Sequence, residues 1–151
     1  MNFKKISLAL VVAVSIPSTP LAFAEDVAVD HATRVEQIKS RWNPIFEQQY
    51  VQLTALEPKA KLDSKIYKDY KYLIADFLHV RNVIDTALNS TSGDIEAAAA
   101  YAEEETGEFM MTIPALANQV AKIKTITCAK GKVTKKITSA TPQCPAGYKK
   151  K

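Results

Sequence analysis

Glycine is scarce in this chain. There are four in 151 residues, and Gly93, Gly107, Gly131 and Gly147 stand far apart. Loops that cradle phosphate need clustered glycines so that backbone N–H groups can close on the anion, so nucleotide-binding loops of that kind are excluded. Histidine occurs twice, as His31 and His79, and no Gly-x-Ser-x-Gly elbow accompanies either. A nucleophile, a base and an orienting group are therefore not recognisable as a set. Apolar runs are short, and a chain of this length fits one domain, which excludes an enzyme with a separate cofactor module. Four Gly and seven Pro exclude collagen-like material, and 47% hydrophobic residues exclude global disorder.

The longest apolar run lies at the N-terminus. Lys4 and Lys5 precede Ile6 to Ile16, and Ala22-Phe23-Ala24 ends the stretch with a small-x-small pattern. This order predicts a secretory signal over residues 1–24, cut between Ala24 and Glu25. An uncleaved anchor would need about 20 apolar residues. No cysteine follows the cleavage site to accept a lipid, and no later stretch reads as a membrane span. The expectation is a mature chain that is secreted or cell-envelope associated, with no transmembrane segment after cleavage.

Acid is absent from one end of the chain. From Glu25 to Ala121 there are 9 Lys+Arg against 16 Asp+Glu, a balance of −7, whereas Lys122 to Lys151 holds 9 Lys and no acid. Charges that serve solubility alone normally intersperse. Composition changes at the same place, from Ala, Glu, Leu and Gln to Thr, Lys, Val and Ile. This predicts a helical domain over 25–121 and a basic tail over 122–151.

Within the first part the apolar spacing is helical. Val35, Ile38, Trp42, Ile45, Phe46, Tyr50, Leu53 and Leu56 form one stripe, which Asn43-Pro44 either kinks or divides and Glu57-Pro58 ends. Ile66, Tyr70, Leu73, Phe77, Val80, Ile84 and Ala87 alternate steps of four and three, the seam of a coiled coil or bundle. After Asn89 to Gly93, where Thr91 and Asp94 resemble a capping box, a third stripe runs through Ile95, Ala99, Ala102, Thr106, Phe109, Ile113, Leu116 and Val120. Gly107 and Pro114 weaken it, and a bend or break is expected there. Trp42, the tyrosines and Phe77 are read as core or seam. The fold class expected is mainly α: an up-down-up antiparallel helical bundle with a short disulfide-stapled C-terminal β-hairpin.

In the tail, β-branched residues on either side of Lys130-Gly131 predict the hairpin. Cys128 and Cys144 are the only cysteines, and export would place them where thiols oxidise. Their disulfide would close a 17-residue loop and contribute about 3 kcal/mol. A Zn site would need about four ligands, and the tail offers two Cys and no His. The string ITCAKGKVTKKITSATPQCPAGYKKK, Ile126 to Lys151, resembles a short C-terminal module of secreted actinobacterial proteins, in which a Cys-x-Lys-Gly-Lys start, a Lys-Lys pair, a Cys-Pro-x-Gly-Tyr end and terminal lysines recur. It covers 26 of the 151 residues and implies a shared location or attachment role, with no catalytic chemistry.

No catalytic residues and no cofactor are expected. Glu103, Glu104, Glu105 and Glu108 read as an exposed helix face, and Asp76 with His79 falls short of the paired Glu-x-x-His motifs of a di-iron bundle. The polyanion-binding candidates are Lys130, Lys132, Lys135, Lys136, Lys149, Lys150 and Lys151. Expected partners are anionic cell-envelope polymers or lipid headgroups, with a protein partner for the bundle as a further expectation. Lysine without arginine or interleaved aromatics speaks against nucleic-acid readout. Two alternatives stay open at this point: solvated lysines, or lysines that pair with the chain's own acidic helices. The rival function is a soluble ligand or metal carrier using the bundle interior.

Overall fold

Three aspartates set where the long helices begin. In a computed structural model of the chain, which describes residues 30–151, helix α1 spans His31–Ala55, α3 Ser64–Asn89 and α4 Ile95–Ala121. Asp30, Asp63 and Asp94 precede them, each with an extended backbone and a carboxylate that accepts first-turn N–H groups: Thr33 at 3.1 Å, Lys65 at 3.0 Å and Ala97 at 2.9 Å. A carboxylate there satisfies donors that the helix cannot, and sits at the positive end of its dipole. Asp94 is thus the cap of α4, and Thr91 belongs to the preceding turn. The expected signal over residues 1–24 and its cleavage site lie outside the described residues.

Both internal prolines are accommodated within continuous helices. Pro44 and Pro114 are exposed, so the carbonyls four residues earlier, which lose their helical donor, lie on the water side of the helix. Neither the division at Pro44 nor the break at Pro114 occurs. Pro58 does act on the chain path. It opens a single helical turn, α2 (Glu57–Ala60), not marked by the sequence pattern, between α1 and α3. The α3–α4 turn needs Gly93, because a Cβ there would stand 2.3 Å from the Ala87 carbonyl oxygen.

The helices, of 25, 26 and 27 residues, are each about 40 Å long. They pack up-down-up. The chain is mainly helical, with a small antiparallel sheet after α4. Parallel alignment of α1 and α4 shows in two side-chain contacts at one register, Arg34 to Glu96 at 2.6 Å and Arg41 to Glu103 at 3.9 Å, and Lys59 Nζ of α2 reaches the Ala121 carbonyl at 3.2 Å. Antiparallel α3 answers with Arg81 to Glu47 at 2.8 Å and Asn89 to Lys39 at 3.2 Å.

The core is centred on Phe77, which has no exposed surface. Phe46 and Tyr50 from α1 and Phe109 from α4 hold ring centroids 5.8, 6.0 and 5.0 Å from it, so one ring joins all three helices. Most of the three expected stripes are buried. The differences are local: Ala98 and Leu88 are buried, whereas Ile95, Ala99, Leu73 and Ala87 lie at the core's edge. Tyr72, expected in the core or seam with the other tyrosines, is 66% exposed on the outer side of α3. Gln49 is buried among the apolar residues and donates to the Thr106 carbonyl at 2.8 Å, while its Oε1 has no protein partner. Because Phe77 fills the contact of three helices, Phe77→Ala should cost about 3–5 kcal/mol. Urea unfolding followed by helical circular dichroism measures this, and a loss below about 1 kcal/mol would contradict the packing described.

Candidate polyanion-contact surface

The C-terminal residues form three strands in the order β2-β1-β3: β1 Lys124–Lys130, β2 Val133–Ser139 and β3 Lys149–Lys150. The expected hairpin is present. Its two-residue turn, Gly131-Lys132, places positive φ only at Gly131, the pattern of a type II′ turn. The third strand adds to the expectation. Tyr148 N–H closes a turn onto the Pro145 carbonyl at 2.9 Å, Gly147 takes φ +81, and Lys151 N–H reaches the Thr127 carbonyl at 2.9 Å. Lys149 and Lys150, carriers of charge in the sequence, also pair their backbones with β1.

Cys128 and Cys144 form the disulfide, with Cα atoms 5.6 Å apart. Cys128 lies in the middle of β1 with no exposed surface, between Lys135 on β2 and Lys150 on β3. Residues paired across strands share a face. One face therefore carries Lys124, Ile126, Cys128 and Lys130 with Lys135 and Lys150. The segment containing Cys144 returns over it: Lys135 Nζ lies 5.1 Å from the Tyr148 ring, and the Lys130 chain passes Gly147. The other face carries Lys136 and Lys149 among Thr125, Thr127, Thr134 and Thr138, with Thr125 and Thr138 hydroxyls 2.8 Å apart. Lys132 is at the turn and Lys151 at the terminus.

All nine tail lysines are exposed. Among the described residues none of them makes an ion pair. The pairs present, Arg34–Glu96, Glu36–Lys39, Arg41–Glu103, Glu57–Lys61 and Glu47–Arg81, are all within the helical part. Among the described residues, then, no tail lysine pairs with an acid of the helices.

The sheet is nevertheless fixed to the bundle. Ile123 and Ala140 belong to or pack against the helical core, and Asp63, the cap of α3, uses its second oxygen to accept the Ala140 N–H at 2.9 Å. That bond, followed by the Ile66 N–H, holds the Asp63 carboxyl below its ordinary value of 3.8. Arg34 does the same for Glu96, and burial raises Tyr70. These shifted groups belong to caps, ion pairs and core.

Among the described residues no group of three or more His, Cys, Asp or Glu gathers in a metal-binding arrangement. Asp76 and His79 are both exposed on α3. Between α1 and α3, Trp42, Phe46, Ile84 and Leu88 enclose about 10 Å³, room for at most one water. No described helix is long and apolar enough to cross a membrane. Compared with protein-family models, curated proteins and solved structures, the chain matches none.

Replacing Cys128 and Cys144 by serine should remove about 3 kcal/mol from the sheet. Amide exchange in β1 and β2 should then accelerate while the helical circular dichroism stays unchanged, and equal loss in helices and sheet would contradict this. Asp63 also gives a pH dependence. Its folded pKa is depressed, so its stabilisation is complete above the unfolded value, near 3.8, and is lost as pH falls through the folded value. Urea midpoints should drop as pH falls below about 4, and less so in Asp63→Asn. An identical drop in that variant would show that Asp63 carries none of it.

Proposed function

We propose that this is an exported, non-enzymatic protein whose basic C-terminal sheet attaches it to anionic polymers of the cell envelope. The observation that carries this reading is that nine lysines are exposed on the sheet side without an internal acidic partner among the described residues. Unneutralised ammonium groups at this density attract polyanions and release their counterions. Cysteine pairing is compatible with an oxidising location. The resemblance of Ile126 to Lys151 to a tail of secreted proteins points the same way. A flexible chain polymer can follow lysines on both faces of a sheet, whereas a flat lipid surface meets one face at a time. That favours a polymer over headgroups.

The rival, a ligand or metal carrier working through the bundle interior, receives less support: the enclosed space between α1 and α3 is about 10 Å³, and the hollow of about 330 Å³ beside Ile84, Ala98 and Tyr101 is open to solvent. A stoichiometric metal lost on His79→Ala would reverse that preference.

The test is retention of the mature chain on envelope preparations. Changing Lys130, Lys132, Lys135, Lys136, Lys149, Lys150 and Lys151 to Gln should abolish retention, and raising salt from about 50 to about 200 mM should weaken wild-type retention at least about tenfold. Substitution is preferable to deletion from Lys122, because Ile123 is part of the core. Retention indifferent to both changes would sink the proposal.

A further inference from the structure

The fold places the charge boundary where the sequence does not. Along the chain, the lysines between Glu57 and Lys71 fall inside the acidic part. In space, that segment is the end of the bundle beside the sheet, since Lys59 bonds the last carbonyl of α4 and Asp63 holds the Ala140 N–H. It contains Lys59, Lys61, Lys65, Lys68 and Lys71 against Glu57, Asp63 and Asp69. Two of those acids are engaged, Glu57 with Lys61 at 2.9 Å and Asp63 as cap. The sheet end of the molecule therefore gathers fourteen lysines against three acids. The remaining described helical residues hold four basic residues, Arg34, Lys39, Arg41 and Arg81, against eleven acids.

These lysines are not randomly splayed. Lys61, Lys65 and Lys68 follow one another at helical spacing across the start of α3, and aromatic rings hold several ammonium groups. Lys61 and Lys71 lie 5.9 and 5.3 Å from the Tyr67 ring, and Lys68 lies 5.7 Å from that of exposed Tyr72. A cation resting on a ring face loses less freedom when it meets an anion.

We propose that Lys65, Lys68 and Lys71 on α3 form a second contact ledge, which together with the sheet binds a single linear polyanion bearing repeated phosphate-like groups. The inference rests on the attachment role given to the tail and extends it to the bundle. Lysine ammonium groups act as point charges toward phosphates and impose no bidentate geometry. Reach defines the ligand. A seven-residue strand spans about 23 Å and Lys65 to Lys71 about 9 Å of α3, so a chain on the order of 30 Å long is needed to follow both surfaces along their length. A small anion meets only a few of these lysines at once. Binding by length, without sequence or ring readout, is the property this arrangement confers.

The probes are long-chain polyphosphate and tripolyphosphate, titrated into the full mature protein. Lys65→Gln, Lys68→Gln and Lys71→Gln are combined as the ledge variant, because these side chains make no ion pair among the described residues; α3 should stay intact, which circular dichroism checks. For long-chain polyphosphate, the ledge variant should bind at least about tenfold more weakly, and the slope of log affinity against log salt should become shallower by about two. Tripolyphosphate affinity should change less than about twofold, because a short anion cannot use both surfaces. Wild-type affinity and slope in the ledge variant, with binding lost only in the tail-lysine variant, would overturn the ledge and leave the tail. Absence of long-chain binding by the wild-type chain would overturn the attachment role itself.

Discussion

One carboxylate joins the two parts of this molecule. Asp63 uses one oxygen to cap α3 and the other to hold the Ala140 N–H at the base of the sheet. A 30-residue segment of lysine, threonine and a few β-branched residues buries too little apolar surface to hold a pose alone. It acquires one through three constraints of different kinds: the Asp63 bond, the insertion of Ile123 and Ala140 into the helical core, and the Cys128–Cys144 bridge. The last acts within the sheet, and the first two fix the sheet against the bundle. Lysines that would otherwise sweep solvent on a tether are given a fixed relation to the helices.

The bundle is built on a comparable economy of contacts. Phe77 makes an aromatic cluster common to three helices, and the contacts of Arg34 and Arg41 of α1 with α4 share a register that sets the parallel pair. The exposed ion pairs contribute little energy each. Their common spacing matters more, because it penalises a slip of α1 along α4. Gln49 works in the same direction. A buried amide that must find the Thr106 carbonyl tolerates few alternative registers, at the expense of an Oε1 without a protein partner.

Much of this was legible in the residues because burial in a bundle obeys spacing. Steps of three and four located Trp42, Phe77, Phe109 and most of their neighbours, and β-branched alternation around Gly131 located the hairpin. Cysteine count alone paired Cys128 with Cys144. What was not legible depended on which side of an element faces water. Pro44 reads as a kink or division and Pro114 as a bend or break, yet both helices continue through them, with each proline on the exposed side. Tyr72 read as core because it is aromatic, yet it stands a residue off the seam. The third strand was hidden because Lys149 and Lys150 contribute backbone rather than side-chain pattern. The lysines of α3 were hidden by counting along the chain, which assigned them to the acidic part; only the antiparallel return brings them beside the sheet. Their clustering between Lys59 and Lys71 was the available signal.

The separation of charge has a consequence for whatever the molecule coats. A protein that is basic all over reverses the sign of a polyanion as it accumulates, then glues neighbouring chains together. This one would bind by its lysine end and turn eleven acids outward. Each occupied site would keep a negative outer rim, so a covered polymer would go on repelling its neighbours and stay dispersed. Head-on stacking of further copies would be limited to their own basic ends, and the layer would be ordered by an electrical torque acting before contact.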